Sequence, residues 1–248
     1  MMRLHCLGTA GYHPSETRHT SCYFVPEAGL VLDAGTGLFR LPPLLRTTHL
    51  DIFLSHAHLD HVIGLTYLLG LIPTTPVECV RIRGEAEKLQ AVRQHLFSAL
   101  IFPAQLDVQW LPLEKSDLQL PEKCVVSWFP LPHPGGSVGY RFQWPTRSLA
   151  YVTDTTADPI GNYIKQIQGV DLLLHECNFG DDQADWASKT GHSWTSRVAS
   201  VAKVAKVRQL LLTHLDPRAP DHDPIGLAAA QAIFPATTVA HDGLVVPI

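Results

Sequence analysis

The chain has 248 residues, 46% of them hydrophobic, which is enough to bury a substantial core and excludes intrinsic disorder. With 19 Lys and Arg against 23 Asp and Glu the formal charge is −4, so no global basic field exists and a polynucleotide would have to meet a local patch. No run of eighteen apolar residues occurs, and the first ten residues hold no long apolar stretch, so the sequence predicts neither a membrane span nor a secretory signal but a soluble, cytoplasmic protein.

Short apolar runs alternate with helical patterns along the chain. Strands are predicted at Arg3 to Leu7, Ser21 to Val25, Gly29 to Leu32, Ile52 to Ser55, Val77 to Arg81, Val125 to Leu131, Val138 to Gln143, Leu149 to Thr153, Asp171 to Leu174, Gln209 to Thr213 and Thr237 to Ala240. Helices are predicted at His61 to Leu71, Gly84 to Leu100, Gly161 to Gln168, Thr195 to Lys206 and Pro224 to Phe234. No Ser/Gly-rich linker interrupts this order, which predicts a single domain over residues 1–248 with helices outside and sheet inside. Cys6, Cys22, Cys79, Cys124 and Cys177 form no CxxC pair and read as buried thiols. The five tryptophans are dispersed, without the basic interleaving of a single-strand stacking surface.

The chain carries 14 histidines, and their placement is the informative feature. The strand ending at Ser55 runs into His56-Ala57-His58-Leu59-Asp60-His61, which sets four ligands within six residues at a strand-to-helix junction. Imidazole and carboxylate donors so close together suit a divalent metal, zinc in particular. Further donors stand at other strand ends: His133, Asp154 and His214. The set predicts His56, His58 and His133 on one metal, Asp60, His61 and His214 on a second, and Asp154 between them. Two divalent ions, less two aspartates and a bridging hydroxide, leave the centre cationic by about one charge, a receptor for an anionic phosphodiester. Arg218, just beyond His214, could reach two phosphate oxygens with its fork.

His56-Ala57-His58-Leu59-Asp60-His61 resembles the HxHxDH motif of the metallo-β-lactamase superfamily, and His133, Asp154 and His214 follow in that superfamily's order. The likeness covers nearly the whole chain and is strongest to the ribonuclease Z and phosphodiesterase branch. It is carried by Leu7-Gly8-Thr9-Ala10-Gly11 with Arg18-His19-Thr20-Ser21, by His133 to Phe142, and by Thr153-Asp154-Thr155. His175-Glu176-Cys177-Asn178-Phe179, Gly191-His192-Ser193 and Leu212-Thr213-His214-Leu215-Asp216-Pro217-Arg218 complete it. The resemblance implies an α+β, four-layer αββα sandwich with two divalent ions, zinc first and manganese or iron as alternatives, and attack on phosphorus by a metal-bound hydroxide. It further implies that Asp60 both ligates metal and orients the attacking water, that His192 and Glu176 form a proton-donating pair, and that a homodimer forms. Ser137 and Tyr140, in the segment after His133, are candidate substrate contacts beside Arg218. His175 reads as a core or supporting histidine, and His222 and His241 as loop histidines near the site.

Departures from the branch bear on substrate. Its bacterial ribonucleases carry a protruding arm between the segments matching His133 and Asp154 that grips transfer RNA, whereas only Pro134 to Thr153 intervene here. The turn Asp33-Ala34-Gly35-Thr36-Gly37 is closer to small phosphodiesterases, with Asp33 expected to close a tight turn. The expected activity is phosphodiester cleavage, on RNA as an endonuclease in 3′ processing or on a small or cyclic diester. A thioesterase or lactonase on the same metals, and a non-catalytic binding module held together by them, are the alternatives.

Overall fold

The computed structural model describes residues 2–220 and 222–248. In chain order the strands are β1 (Arg3–Gly8), β2 (Cys22–Val25), β3 (Leu30–Leu32), β4 (His49–Phe53), β5 (Cys79–Gly84), β6 (Gln109–Pro112) and β7 (Leu118–Leu120). They continue with β8 (Cys124–Leu131), β9 (Ser137–Trp144), β10 (Arg147–Val152), β11 (Leu172–Glu176), β12 (Gln209–Thr213), β13 (Thr237–Val239) and β14 (Val245–Pro247). The helices are α1 (Leu59–Val62), α2 (Leu68–Leu71), α3 (Ala86–Ala91), α4 (Ile164–Ile167), α5 (Ala184–Thr190), α6 (Thr195–Ala205) and α7 (Leu227–Ile233). The chain forms two compact units, residues 2–115 with Asp242–Pro247, and Ser116–His241.

The first unit is built on a seven-stranded sheet in the order β14-β1-β2-β3-β4-β5-β6. Strands from β14 to β3 pair antiparallel and those from β3 to β6 pair parallel. Parallel neighbours need crossovers, which the helical segments supply. Their leucines, Leu38, Leu41, Leu65, Leu68 and Leu89, pack with Phe24, Val31, Leu50, Ile52 and Ile82 of the strands into one apolar cluster. The helix expected from His61 to Leu71 is broken into α1, a 3-10 stretch Ile63–Tyr67 and α2. Gly64 explains the break: its N–H donates to the Ala34 carbonyl at 2.8 Å, and a Cβ there would run into the Gly35 carbonyl, so the segment is pinned to the loop after β3.

The second unit repeats that plan on a sheet ordered β13-β12-β11-β10-β9-β8-β7. Strands β7 to β10 pair antiparallel and β10 to β13 pair parallel. The runs Leu172-Leu173-Leu174 and Leu210-Leu211-Leu212 are buried throughout, the continuous apolar reading of strands in a parallel sheet. Helix α6 buries Val198, Ala199, Val201, Ala202 and Ala205 at helical spacing, and its alanines let it lie close over Leu173, Leu210 and Leu212.

Three strands and one helix escaped the sequence reading. Strands β6 and β14 are the two edges of the first sheet and β7 is an edge of the second, with only three or four residues each and little burial to impose a pattern. Helix α5 buries only Ala187, so its sequence shows no apolar stripe. The helix expected from Gly161 to Gln168 shrinks to α4, and that expected from Gly84 to Leu100 to α3 with a widened turn at Val92–Leu96. Four cysteines are buried as expected, whereas Cys79 is partly exposed on β5. Among the described residues no helix is long and apolar enough to cross a membrane.

Candidate metal and catalytic site

In the first unit β4 delivers the chain into Ser55 and His56, and α1 begins at Leu59, so His56, His58, Asp60 and His61 crowd around one strand exit. The His56 ring lies 4.4 Å from that of His58 and 4.3 Å from that of His61, centroid to centroid. His56 and His61 are buried and His58 is exposed. Behind them sits Asp33, fully buried, with φ of 52° where β3 ends. Its carboxylate accepts the Ser55 N–H at 2.7 Å, the Ser55 hydroxyl at 2.7 Å and the His61 Nδ1–H at 2.7 Å. Because the Ser55 hydroxyl donates to Asp33, its oxygen accepts from His56 Nδ1 at 3.0 Å. Both histidines are thereby fixed with the Nε2 lone pair outward, the arrangement a metal ligand requires. Asp33 thus corrects the expectation of a mere turn residue: it takes the left-handed conformation itself and orients two imidazoles. The Asp-Ala-Gly pattern at a strand end was the available signal, but nothing in it named the partners.

His61 Nε2 faces Asp60 Oδ2 at 3.3 Å, and the same oxygen accepts the Tyr12 N–H at 2.8 Å. Two acceptor atoms this close repel unless a cation or a second proton lies between them. Ligand bonds of about 2.1 Å in a tetrahedral shell place neighbouring donors about 3.4 Å apart, so the spacing fits a shared divalent ion.

The second unit supplies a matching set. Asp154 follows β10 with φ of 47°, and His214 follows β12 with φ of 55°, both left-handed and both nearly fully buried. Such strained non-glycine positions persist only where their surroundings over-determine them. Asp154 Oδ2 faces His133 Nε2 at 3.5 Å and Oδ1 faces His214 Nε2 at 3.3 Å, again the spacing of ligands on an ion rather than of good hydrogen bonds. His133 Nδ1–H donates to the Gly191 carbonyl at 3.1 Å, which leaves its Nε2 lone pair toward Asp154. Asn178, which the sequence reading gave no role, donates to the His214 carbonyl at 2.9 Å and sits 3.2 Å from its ring.

Beside this cluster His192 Nδ1 lies 3.0 Å from Glu176 Oε1. Glu176, fully buried at the end of β11, also accepts N–H bonds from Thr155, Asn178 and Ser193. Burial alone would raise its pKa, but the charge on His192 and the hydrogen bond from its ring outweigh that and hold the carboxyl below the usual carboxylate range. Donor atoms of Asp154, His192 and His214 lie within 4.8 Å of one another, so the pair stands at the cluster.

The other sequence candidates fare differently. Tyr140 is fully buried in β9 beside Phe142, and Ser137 is buried with its hydroxyl on the Thr153 carbonyl, so burial withdraws both from a substrate surface. Arg218 turns its fork back on Asp216, with Nε and Nη2 at 2.9 and 2.8 Å, so a phosphate there would have to displace that carboxylate. His175 is fully buried, donates from Nδ1 to the Glu176 carbonyl at 2.7 Å and faces the Tyr163 hydroxyl at 3.5 Å, a supporting histidine whose pKa is lowered by burial. His222 and His241 are exposed.

A sequence profile described as Beta-lactamase superfamily domain matches residues 29–215. Ribonuclease Z of Methanosarcina acetivorans is 27% identical over an alignment of 302 residues covering 98% of this chain and 96% of the relative. That alignment is longer than this chain, so the archaeal protein holds residues without a counterpart here. Among solved structures, the metallo-beta-lactamase fold protein YhfI from Bacillus subtilis superposes with a TM-score of 0.83 at 23% identity, covering all of both chains. The short form of human tRNase Z superposes with a TM-score of 0.80 at 23% identity, over 100% of this chain and 99% of its own. The α+β fold of the metallo-β-lactamase type, expected from the sequence, is the fold observed.

Proposed function

We propose, from the premise that this chain belongs to the beta-lactamase superfamily, that it is a ribonuclease Z-like phosphodiesterase working on two divalent ions, most simply zinc. The chain is a hydrolase of that kind by its relatives, and its histidine and aspartate clusters are suited to divalent metal. The proposed ligands are His56, His58, Asp60, His61, His133, Asp154 and His214, and residues 1–248 are proposed as a single hydrolase domain. The matched family region, which draws on both units, supports this.

When bound, the ions supply positive charge to the phosphoryl oxygens and acidify a water. The chain's own groups do the rest. Asp60 orients the attacking water. His192 holds a proton for the departing oxygen, and Glu176, ionised and fastened by three backbone N–H groups, accepts the Nδ1–H and stabilises the imidazolium. This His192–Glu176 pair, with the carboxylate buried and the imidazole partly exposed, carries the reading, because a metal-stabilised binding module has no use for a proton donor beside its ligands.

A small or short diester is the proposed substrate in preference to a transfer RNA precursor. Between His133 and Asp154 the chain makes only β9 and β10, with a three-residue-wide reversal at Pro134–Gly136 and a tight turn between Trp144 and Arg147, and no arm. The family likeness extends the proposal to cytoplasmic action and a homodimer. The test is turnover of bis(p-nitrophenyl) phosphate by metal-loaded protein: His192→Ala should lower kcat by roughly 10²- to 10⁴-fold while bound metal, measured by elemental analysis, is retained. Undiminished turnover in the variant, or a loaded parent that cleaves no diester, overturns the assignment.

A further inference from the structure

The loop that carries Tyr12 is unusually well held for an exposed segment. Ala10 donates to the His19 carbonyl at 2.9 Å, Ser15 to the Arg18 carbonyl at 2.8 Å, and the buried Arg18 guanidinium to Thr9 Oγ1 at 2.8 Å. His13 donates from its backbone to Gly11 and from Nδ1 to the Pro14 carbonyl, and its ring meets the Tyr12 ring edge-on with centroids 5.3 Å apart. Within this frame Tyr12 adopts φ of 62°, a conformation that disfavours a side chain as large as tyrosine. The strain is maintained by the bond from its N–H to Asp60 Oδ2. The ring itself buries little: Tyr12 is 82% exposed.

An exposed tyrosine alone needs no explanation. Here, however, the backbone is strained and tied to a carboxylate of the candidate metal set, while the aromatic face is left to solvent within one side-chain length of that carboxylate. We infer that Tyr12 is a specificity-determining residue, a stacking platform for the base of a nucleotide whose phosphate lies at Asp60. The inference rests on the phosphodiesterase reading and narrows its substrate to a nucleotide-containing diester. The exposed ring matches one base in size, and stacking tolerates any base because each presents a π-face. The phenol hydroxyl is not needed for this, so phenylalanine should serve as well.

The experiment is calorimetric titration of zinc-loaded protein with AMP and with ribose 5-phosphate, which carries the same sugar phosphate with a hydroxyl in place of the base. The parent should bind AMP roughly 10- to 100-fold more tightly, Tyr12→Ala should abolish that preference, and Tyr12→Phe should keep it. Melting curves establish that each variant is folded. A parent that binds the two equally, or a preference that survives in Tyr12→Ala, overturns the platform. Failure of the underlying reading looks different: AMP preference dependent on Tyr12, together with no cleavage of bis(p-nitrophenyl) phosphate, upholds the platform and refutes the diesterase.

Discussion

Replacement of Asp33 by Asn probes how much the carboxylate behind the histidines contributes. Asparagine is among the few residues at ease with positive φ, so the substitution leaves the backbone nearly unchanged and isolates the hydrogen bonding. Asp33 accepts three donors, Ser55 N–H on one oxygen and the Ser55 hydroxyl and His61 Nδ1–H on the other. An amide keeps one acceptor oxygen. In its better orientation that oxygen serves His61 and the Ser55 hydroxyl, and the amide NH₂ is driven against the Ser55 N–H in a site with no exposure to water. Two buried donor groups left facing each other without an acceptor, together with loss of the charge that strengthens the His61 bond, predict a stability loss of about 2–6 kcal/mol. The substitution also loosens the tautomer of two candidate ligands, His56 and His61, for which roughly a 10- to 100-fold loss of metal affinity is expected. Urea unfolding of metal-free protein followed by circular dichroism measures the first, and competition with a chelator the second. Unfolding free energy within about 0.5 kcal/mol of the parent together with unchanged zinc affinity would refute the reasoning.

Acid should act on Asp171, which accepts the Ser148 N–H and hydroxyl and the Arg208 guanidinium. Burial opposes its ionisation, but the Ser148 and Arg208 bonds outweigh that and lower its pKa. A depressed folded-state value means the carboxylate stabilises above its ordinary titration range and loses that contribution as pH falls through the folded value. Asp171→Asn should therefore weaken the fold at pH 7 by up to about 1 kcal/mol, since the pair is partly solvated, and the gap to the parent should close toward pH 3; a gap constant with pH contradicts this. Thiol reagents should separate the cysteines, because burial pushes Cys6 and Cys124 up to about 12 and Cys22 and Cys177 above their usual values. In native protein at pH 8 only Cys79 should react promptly, and rapid modification of two or more thiols, counted by mass spectrometry, would contradict the burial.

The candidate ligands stand out in the sequence because a metal centre would need several histidines and aspartates at strand exits, and the segment from His56 to His61 sets four such donors within six residues. Helix α6 and the leucine-rich strands were legible because deep burial writes its period into the sequence. What lay beyond reading depended on partners distant in the chain. Asp33 looked like a turn former until Ser55 and His61 came to it, and Tyr140 looked available until its strand was buried. Arg218 has the right chemistry for phosphate, but Asp216, two residues earlier, already engages its fork. Edge strands β6, β7 and β14 form from backbone pairing with little side-chain burial, so composition gave no hint of them.

The common plan of the two units puts Asp33 and Asp154 in equivalent seats. Each leaves the strand at which pairing changes from antiparallel to parallel, β3 in one sheet and β10 in the other, and each turns left-handed there. One architectural device has thus been used twice for different ends: in the first unit the acid steadies imidazoles from behind, and in the second it meets them from the front. Because both seats already hold an acidic residue at positive φ, they are natural positions at which to exchange such duties between the halves by redesign.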